Sequence, residues 1–109
     1  MSELLTHSSP LTRWQGERGT WHLLVITGET AEAIAMHARL YRLEYGTQRG
    51  FGSVKVMARI GETEWKSSVF PQKSSSQQER EWILLVSRKV MRAEDIVAGD
   101  RVCVELELL

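Results

Sequence analysis

The sequence predicts a small β-barrel, all-β or β-dominated, with one main α-helix. Apolar and polar residues alternate in "SVKVMARI" and in "RVCVELELL", which is the period of a strand with one buried face. A helical period occurs clearly in one segment, "TGETAEAIAMHARLYRLEYG". Short strands at this spacing must curl into a barrel or pair with another chain, because an open flat sheet leaves its edges exposed.

Length and composition indicate a single small domain. The chain has 109 residues, and its 14 basic and 14 acidic residues give a net charge of zero. The overall positive field that is usual in nucleic-acid-binding proteins is therefore absent. Cys103 is the only cysteine, which rules out an intrachain disulfide and favours a reducing compartment such as the cytoplasm. No stretch of the sequence predicts a signal peptide or a membrane span.

The first half of the chain predicts a lead-in, two strands and the helix. Residues 1–10 are polar and contain Pro10, so we expect a poorly ordered lead-in before a barrel domain over residues 11–109. "LTRWQ" predicts a first strand, and the apolar run "WHLLVI" predicts a buried one. The helix is predicted over about residues 29–45, and Gly46 is a natural stop.

The second half returns to strands. "SVKVMARI" and "EWKSSVF", joined by "GET", predict a hairpin, and "PQKSSSQQERE" predicts a loop. "WILLV" predicts another buried strand. A short helical turn over about residues 87–94 follows, capped by Ser87, and "RVCVELELL" predicts the last strand.

The chain resembles the bacterial family called Domain of Unknown Function 1905. The resemblance is carried by "GTWHLLVI", "RGFGSVKVMARIGETEWKSSVFP" and "WILLVSRKVMRAEDIVAGDRVCVELEL", which together span most of the chain. It implies a double-split β-barrel, the architecture also found in AbrB-like regulators and MazE-like antitoxins. It implies no particular activity.

The stretch "RGFGSVKV" has two interpretations. Backbone amides near Gly50 and Gly52, with the Arg49 charge and the Ser53 hydroxyl, would make an anion-binding nest. Phosphate-binding loops, however, run from a strand into a helix, whereas these glycines run from a helix into a strand. A turn that feeds the strand is therefore the favoured interpretation. The ligand-site hypothesis places a small polar or anionic ligand at the barrel mouth, beside this set of residues: Arg49, Gly50, Gly52, Ser53, Trp65 and Ser67.

The large aromatic residues are expected mainly in the core. Exposed aromatic side chains beside basic residues stack bases or sugars, but large side chains in strands more often fill a core. This expectation covers Trp21, Trp65, Phe70 and Trp82.

Basic residues in the middle of the chain suggest an alternative, a dimeric nucleic-acid-binding regulator of AbrB-like architecture. The candidate contacts are Arg39, Arg42, Lys55 and Arg59. Lys55 and Arg59 share one strand face and would form a basic stripe. Ordinary solvation, or cross-strand pairing with acids such as Glu64 or Glu107, is the simpler explanation.

No catalytic constellation is visible. His22 and Cys103 are the candidate base and nucleophile, but neither has a matched partner in the sequence. We expect no cofactor and no metal. The predicted function is a non-enzymatic binding module, monomeric or homodimeric and not membrane-bound; an enzyme of unknown class stays the third hypothesis.

Overall fold

The computed structural model describes residues 3–45, 53–73 and 80–109, which form seven strands and two helices. In chain order these are β1 (Glu3–Pro10), β2 (Thr12–Gly16), β3 (Gly19–Ile26), α1 (Gly28–Tyr45), β4 (Val54–Ile60), β5 (Thr63–Lys73), β6 (Arg80–Leu85), α2 (Arg88–Glu94) and β7 (Arg101–Leu108).

The seven strands make one antiparallel sheet, curled into a half-barrel, in the order β1-β7-β4-β5-β6-β3-β2. β1 and β2 are therefore at opposite ends of the sheet, although Leu11 alone separates them in the chain. The continuous segment of β1, Leu11 and β2 therefore pairs with β7 through β1 and with β3 through β2. The sheet must curl for one segment to reach both of these strands. The bend is fixed by the main chain of Leu11, whose N–H donates to the Asp100 carbonyl and whose carbonyl accepts from the Gly99 N–H, each at 2.8 Å.

The curled sheet encloses an apolar core. Alternate residues of each central strand point to the concave inner face, as in β4, where Val54, Val56, Ala58 and Ile60 are buried. Helix α1 covers this face with buried Ala31 and Ile34. No polar or charged residue is buried among the described side chains, so the interior is filled by hydrocarbon.

The short helix α2 is capped at both ends. Ser87 is its N-cap, and the Ser87 hydroxyl accepts from the Val90 N–H at 3.3 Å. Asp95 closes the C-terminus in the left-handed conformation, at φ 53°. Val90 is buried against the core. Capping makes a seven-residue helix possible where helix propensity alone would not suffice.

The β-dominated fold with one main helix and one helical turn is confirmed. Both helices agree with the predicted bounds to within about one residue, and β4 and β7 have the predicted alternation. Caps and periodicity are local signals, which is why the sequence reveals them.

Two segments differ from expectation. Residues 3–10, expected to be a poorly ordered lead-in, form β1, which pairs with β7 along its whole length. Main-chain pairing with a strongly alternating neighbour orders a polar segment that has few apolar side chains of its own. β5 continues through Pro71 to Lys73. Beyond Val69 its described partner is β6, and Pro71 lies opposite Trp82 there, so the proline is accommodated in the strand.

Candidate functional site

An uncovered apolar surface lies on the convex outer face of β2, β3, β6 and β5. The register places Trp14 opposite Trp21 and Leu23 opposite Leu85. Ile83 lies opposite both Val25 and Phe70. We call these residues the aromatic face: Trp14, Trp21, Leu23, Val25, Phe70, Ile83 and Leu85.

Four members of the aromatic face are substantially exposed. Trp14 is 55% exposed, Trp21 44%, Leu85 39% and Phe70 38%. They are neighbours across the strands rather than scattered singly, and neither α1 nor α2 packs over them. Contiguous apolar surface of this kind marks interaction sites more often than isolated exposed residues do.

The core expectation for the large aromatic residues holds for some and fails for others. Trp82 is 2% exposed, and Trp65 is half-buried and packed against the core, as expected. The prediction is wrong for Trp21 and Phe70: both point outward, because His22 and Val69 take the adjacent inward positions on their strands. Trp14 was not among the candidates. Trp14 and Trp21 are each two residues from the "GERG" turn, and this symmetry indicates that they lie opposite each other in a hairpin.

Trp14 is held flat against its own strand. A Cβ added at Gly16 would lie 2.6 Å from both Cζ3 and Cη2 of Trp14, so the six-membered ring of the indole crosses the Gly16 main chain. Residues i and i+2 of a strand share a face, which brings the ring over that glycine. One face of the ring is therefore occupied by backbone, and more than half of the side chain remains in solvent.

Cations surround the Trp14–Trp21 end of the aromatic face. Arg18 lies in the β2–β3 turn, and Arg88 and Lys89 begin α2 next to β3, where the Val86 N–H donates to the His22 carbonyl at 2.8 Å. Lys66 lies on the outer face of β5, opposite Met57. All four side chains are exposed, and we call them the basic rim: Arg18, Lys66, Arg88 and Lys89. Two exposed acids lie close to these cations in the chain: Glu17 precedes Arg18, and Glu64 shares the outer face of β5 with Lys66. The four cations outnumber these two carboxylates.

The glycine-loop site is only partly described. Arg49, Gly50 and Gly52 lie outside the described residues, while Ser53 is exposed directly before β4. β4 is a strand and follows helix α1, so the helix-to-strand order is confirmed. The structure does not bring Ser53 and Trp65 together: Trp65 lies opposite Ala58, five residues along β4, or about 17 Å from Ser53.

Ser67 also belongs to the inner face of β5. It lies opposite Val56 and is half-buried. Ser67 and Trp65 therefore face the apolar core instead of a shared solvent-filled mouth.

The predicted basic stripe is interrupted by acids. Lys55 and Arg59 are both exposed on the outer face of β4, as expected. Arg59, however, lies opposite Glu64 on one neighbouring strand and Glu105 on the other, and its Nε donates to the Gly61 carbonyl at 2.9 Å. Cross-strand carboxylates on both sides offset its charge.

The helical candidates do not join this stripe. Arg39 is exposed on α1, which covers the inner face of the sheet, whereas the stripe is on the outer face. The side chain of Arg42 lies outside the described part of the chain.

The catalytic candidates do not face each other. His22 is half-buried on the inner face of β3, whereas Cys103 is exposed on the outer face of β7. Within residues 3–45, 53–73 and 80–109, no three His, Cys, Asp or Glu side chains are grouped closely enough to hold a metal ion. Neither helix of the described chain has the length and apolar character needed to cross a bilayer.

Comparison with known proteins gives one assignment. No curated protein and no solved structure matches the chain. A family model described as a domain of unknown function matches residues 8–106, which include all of β2 through β6, the last three residues of β1 and most of β7. The chain therefore belongs to the family Domain of unknown function (DUF1905).

Proposed function

We propose that this chain is a non-enzymatic binding module that takes a small polar or anionic ligand on its aromatic face. The exposure of Trp14 and Trp21 as a cross-strand pair carries the proposal. The inner face is already filled by apolar side chains, whereas the outer face of β2, β3, β6 and β5 has exposed apolar surface that a ligand can contact. An indole ring binds the flat face of a polar ring compound while the polar edge of that compound stays in water.

The basic rim supports an anionic ligand. Arg18, Lys66, Arg88 and Lys89 are exposed around the tryptophan pair, and exposed cations attract an anion over a Debye length of about 8 Å at physiological salt.

The experiment is a ligand screen that compares single variants. Nucleotides, sugar phosphates, neutral sugars and small dicarboxylates are titrated against the intact chain, with tryptophan fluorescence and thermal shift as readouts. We expect at least one class to bind, and Trp14→Ala and Trp21→Ala to weaken that binding. Leu4→Ala is the matched control, because Leu4 is 63% exposed on β1 at the other end of the sheet.

Two results would contradict the proposal. One is the absence of binding by every class of compound; the other is binding that persists unchanged in both tryptophan variants. Circular dichroism of each variant separates loss of the ligand from loss of the fold.

A nucleic-acid-binding regulator with an AbrB-like dimeric architecture stays the second prediction. The exposure of Lys55 on the outer face of β4 favours it, whereas the carboxylates beside Arg59 disfavour it. A salt-dependent mobility shift with duplex DNA, lost in Lys55→Ala/Arg59→Ala, would support it. We also propose a cytoplasmic location, because a chain with a single cysteine forms no intrachain disulfide and suits a reducing compartment.

A further inference from the structure

We propose that the ligand of the aromatic face carries both a nucleobase and a phosphate group. The base stacks on Trp14 and Trp21, and the phosphate pairs with the basic rim. This inference rests on the proposed function, because it names the ligand class of the same surface.

The arrangement of Trp14 favours an aromatic base. Because the indole lies across the Gly16 main chain, the ring is already flat against the strand before any ligand arrives. A fixed ring with a free face offers a base full overlap without loss of side-chain rotamer freedom on binding. Trp21 lies opposite Trp14 on β3, so the neighbouring indole extends the stacking surface across two strands.

The basic rim favours a phosphate attached to that base. β5 is two strands from β3, so Lys66 lies about 10 Å across the sheet from the line of β3. Arg88 begins α2, directly after the segment in which Val86 is hydrogen-bonded to β3. Exposed cations thus lie beside the tryptophan pair at about the length of one nucleotide. A neutral sugar would use the indoles but not these charges.

A nucleotide unit has two sources, a free nucleotide and a single-stranded nucleic acid. Both present a base and a phosphate, and both use stacking platforms with a cationic border. The sequence tolerance of base stacking makes adenosine monophosphate a suitable first probe.

The test is a titration at low salt with four probes: adenosine monophosphate, adenosine, ribose 5-phosphate and a single-stranded deoxyadenosine oligomer. We expect quenching of tryptophan fluorescence by adenosine monophosphate, with weaker binding of adenosine and of ribose 5-phosphate. Trp14→Ala should weaken nucleotide binding by about 5- to 150-fold. Lys66→Ala should weaken the binding of the nucleotide but not of adenosine, because adenosine carries no phosphate.

Gly16→Ala tests whether the orientation of the Trp14 indole matters, because this variant keeps the indole but moves it off the Gly16 main chain. The added methyl must displace the Trp14 indole, so nucleotide affinity should fall although both tryptophans remain. Leu4→Ala again serves as the control, and its affinity should equal that of the original chain. An oligomer that binds much more tightly than the mononucleotide identifies nucleic acid as the source; equal affinity per nucleotide identifies a free nucleotide.

Separate outcomes would overturn the inference and the proposed function. A neutral disaccharide such as maltose serves as the deciding probe: if Trp14→Ala abolishes its binding and Lys66→Ala leaves its affinity unchanged, the proposed binding module stands and the nucleotide inference is wrong. If ribose 5-phosphate binds as well as adenosine monophosphate, stacking plays no part and the inference is also wrong. If no probe and no compound of the broader screen binds, both are wrong.

Discussion

The indole Nε1 of Trp82 donates a hydrogen bond to the main-chain carbonyl of Ala31 at 3.2 Å, inside the core. This contact joins the first turn of α1 to β6, residues that are 51 positions apart in the chain. Trp82 is almost fully buried, so its N–H has no access to water and must find a protein acceptor.

Trp82→Phe is expected to lower the free energy of unfolding by about 1–3 kcal/mol. The change removes the donor to Ala31 and leaves a gap where the larger ring packed. Urea denaturation followed by circular dichroism measures the effect. Trp21→Phe is the matched control, since Trp21 lies on the aromatic face, and it should change stability by no more than about 0.5 kcal/mol. Equal losses in the two variants would contradict the assignment of Trp82 as the packing residue of α1.

Gly61→Ala is expected to destabilise the chain more than an ordinary surface change. Gly61 turns β4 into β5 at φ 59°, where a Cβ costs about 1–2 kcal/mol. A Cβ there would also overlap Oε1 of Glu94, the residue whose Oε2 accepts from the Thr63 hydroxyl at 2.6 Å. The variant must therefore strain the turn and also displace the carboxylate that docks α2 on the hairpin.

The control for this prediction separates strain from overlap. Gly28 has a similar φ of 67°, but a Cβ there would meet nothing within 4 Å. Gly28→Ala should therefore lower the free energy of unfolding only by the backbone strain, and Gly61→Ala should lower it further. Equal melting temperatures for the two variants would show that the contact with Glu94 adds nothing.

His7→Ala is expected to loosen the closure of the sheet. Nε2 of His7 lies 3.1 Å from the Val25 carbonyl, a contact that links β1 to β3 across the seam of the half-barrel. Without it, β1 keeps its pairing with β7 but loses this tie to β3. Hydrogen–deuterium exchange should show faster exchange of the β1 amides, with the β4–β5 hairpin unchanged. His37→Ala on α1 is the control; unchanged exchange in β1 would mean that the His7 contact has no part in closing the sheet.

Local signals in the sequence were enough to predict the elements with one-sided burial. In β4 and β7 the apolar residues recur at every second position, and a one-residue shift would place all of them in water. The apolar stripe of α1 and the Ser87 cap are likewise contained within a few residues. Such patterns need no knowledge of which strand is a neighbour.

The candidate site depended on information that these patterns lack. β3 and β6 are apolar on both faces, so their sequences show no period that distinguishes the core side from the solvent side. Whether Trp21 on β3 fills the core or stands in solvent was decided by which face α1 covers.

The sequence by itself determined a β-dominated chain, its two helices and its family, because periodicity, caps and motifs are properties of neighbouring residues. The tertiary structure alone decided that polar β1 is a strand and that the chain bends at Leu11 to close the sheet. It also decided that Trp14 and Trp21 share an open surface. These features arise from pairings between distant segments, and their free energy comes from backbone hydrogen bonds and burial that no single segment encodes.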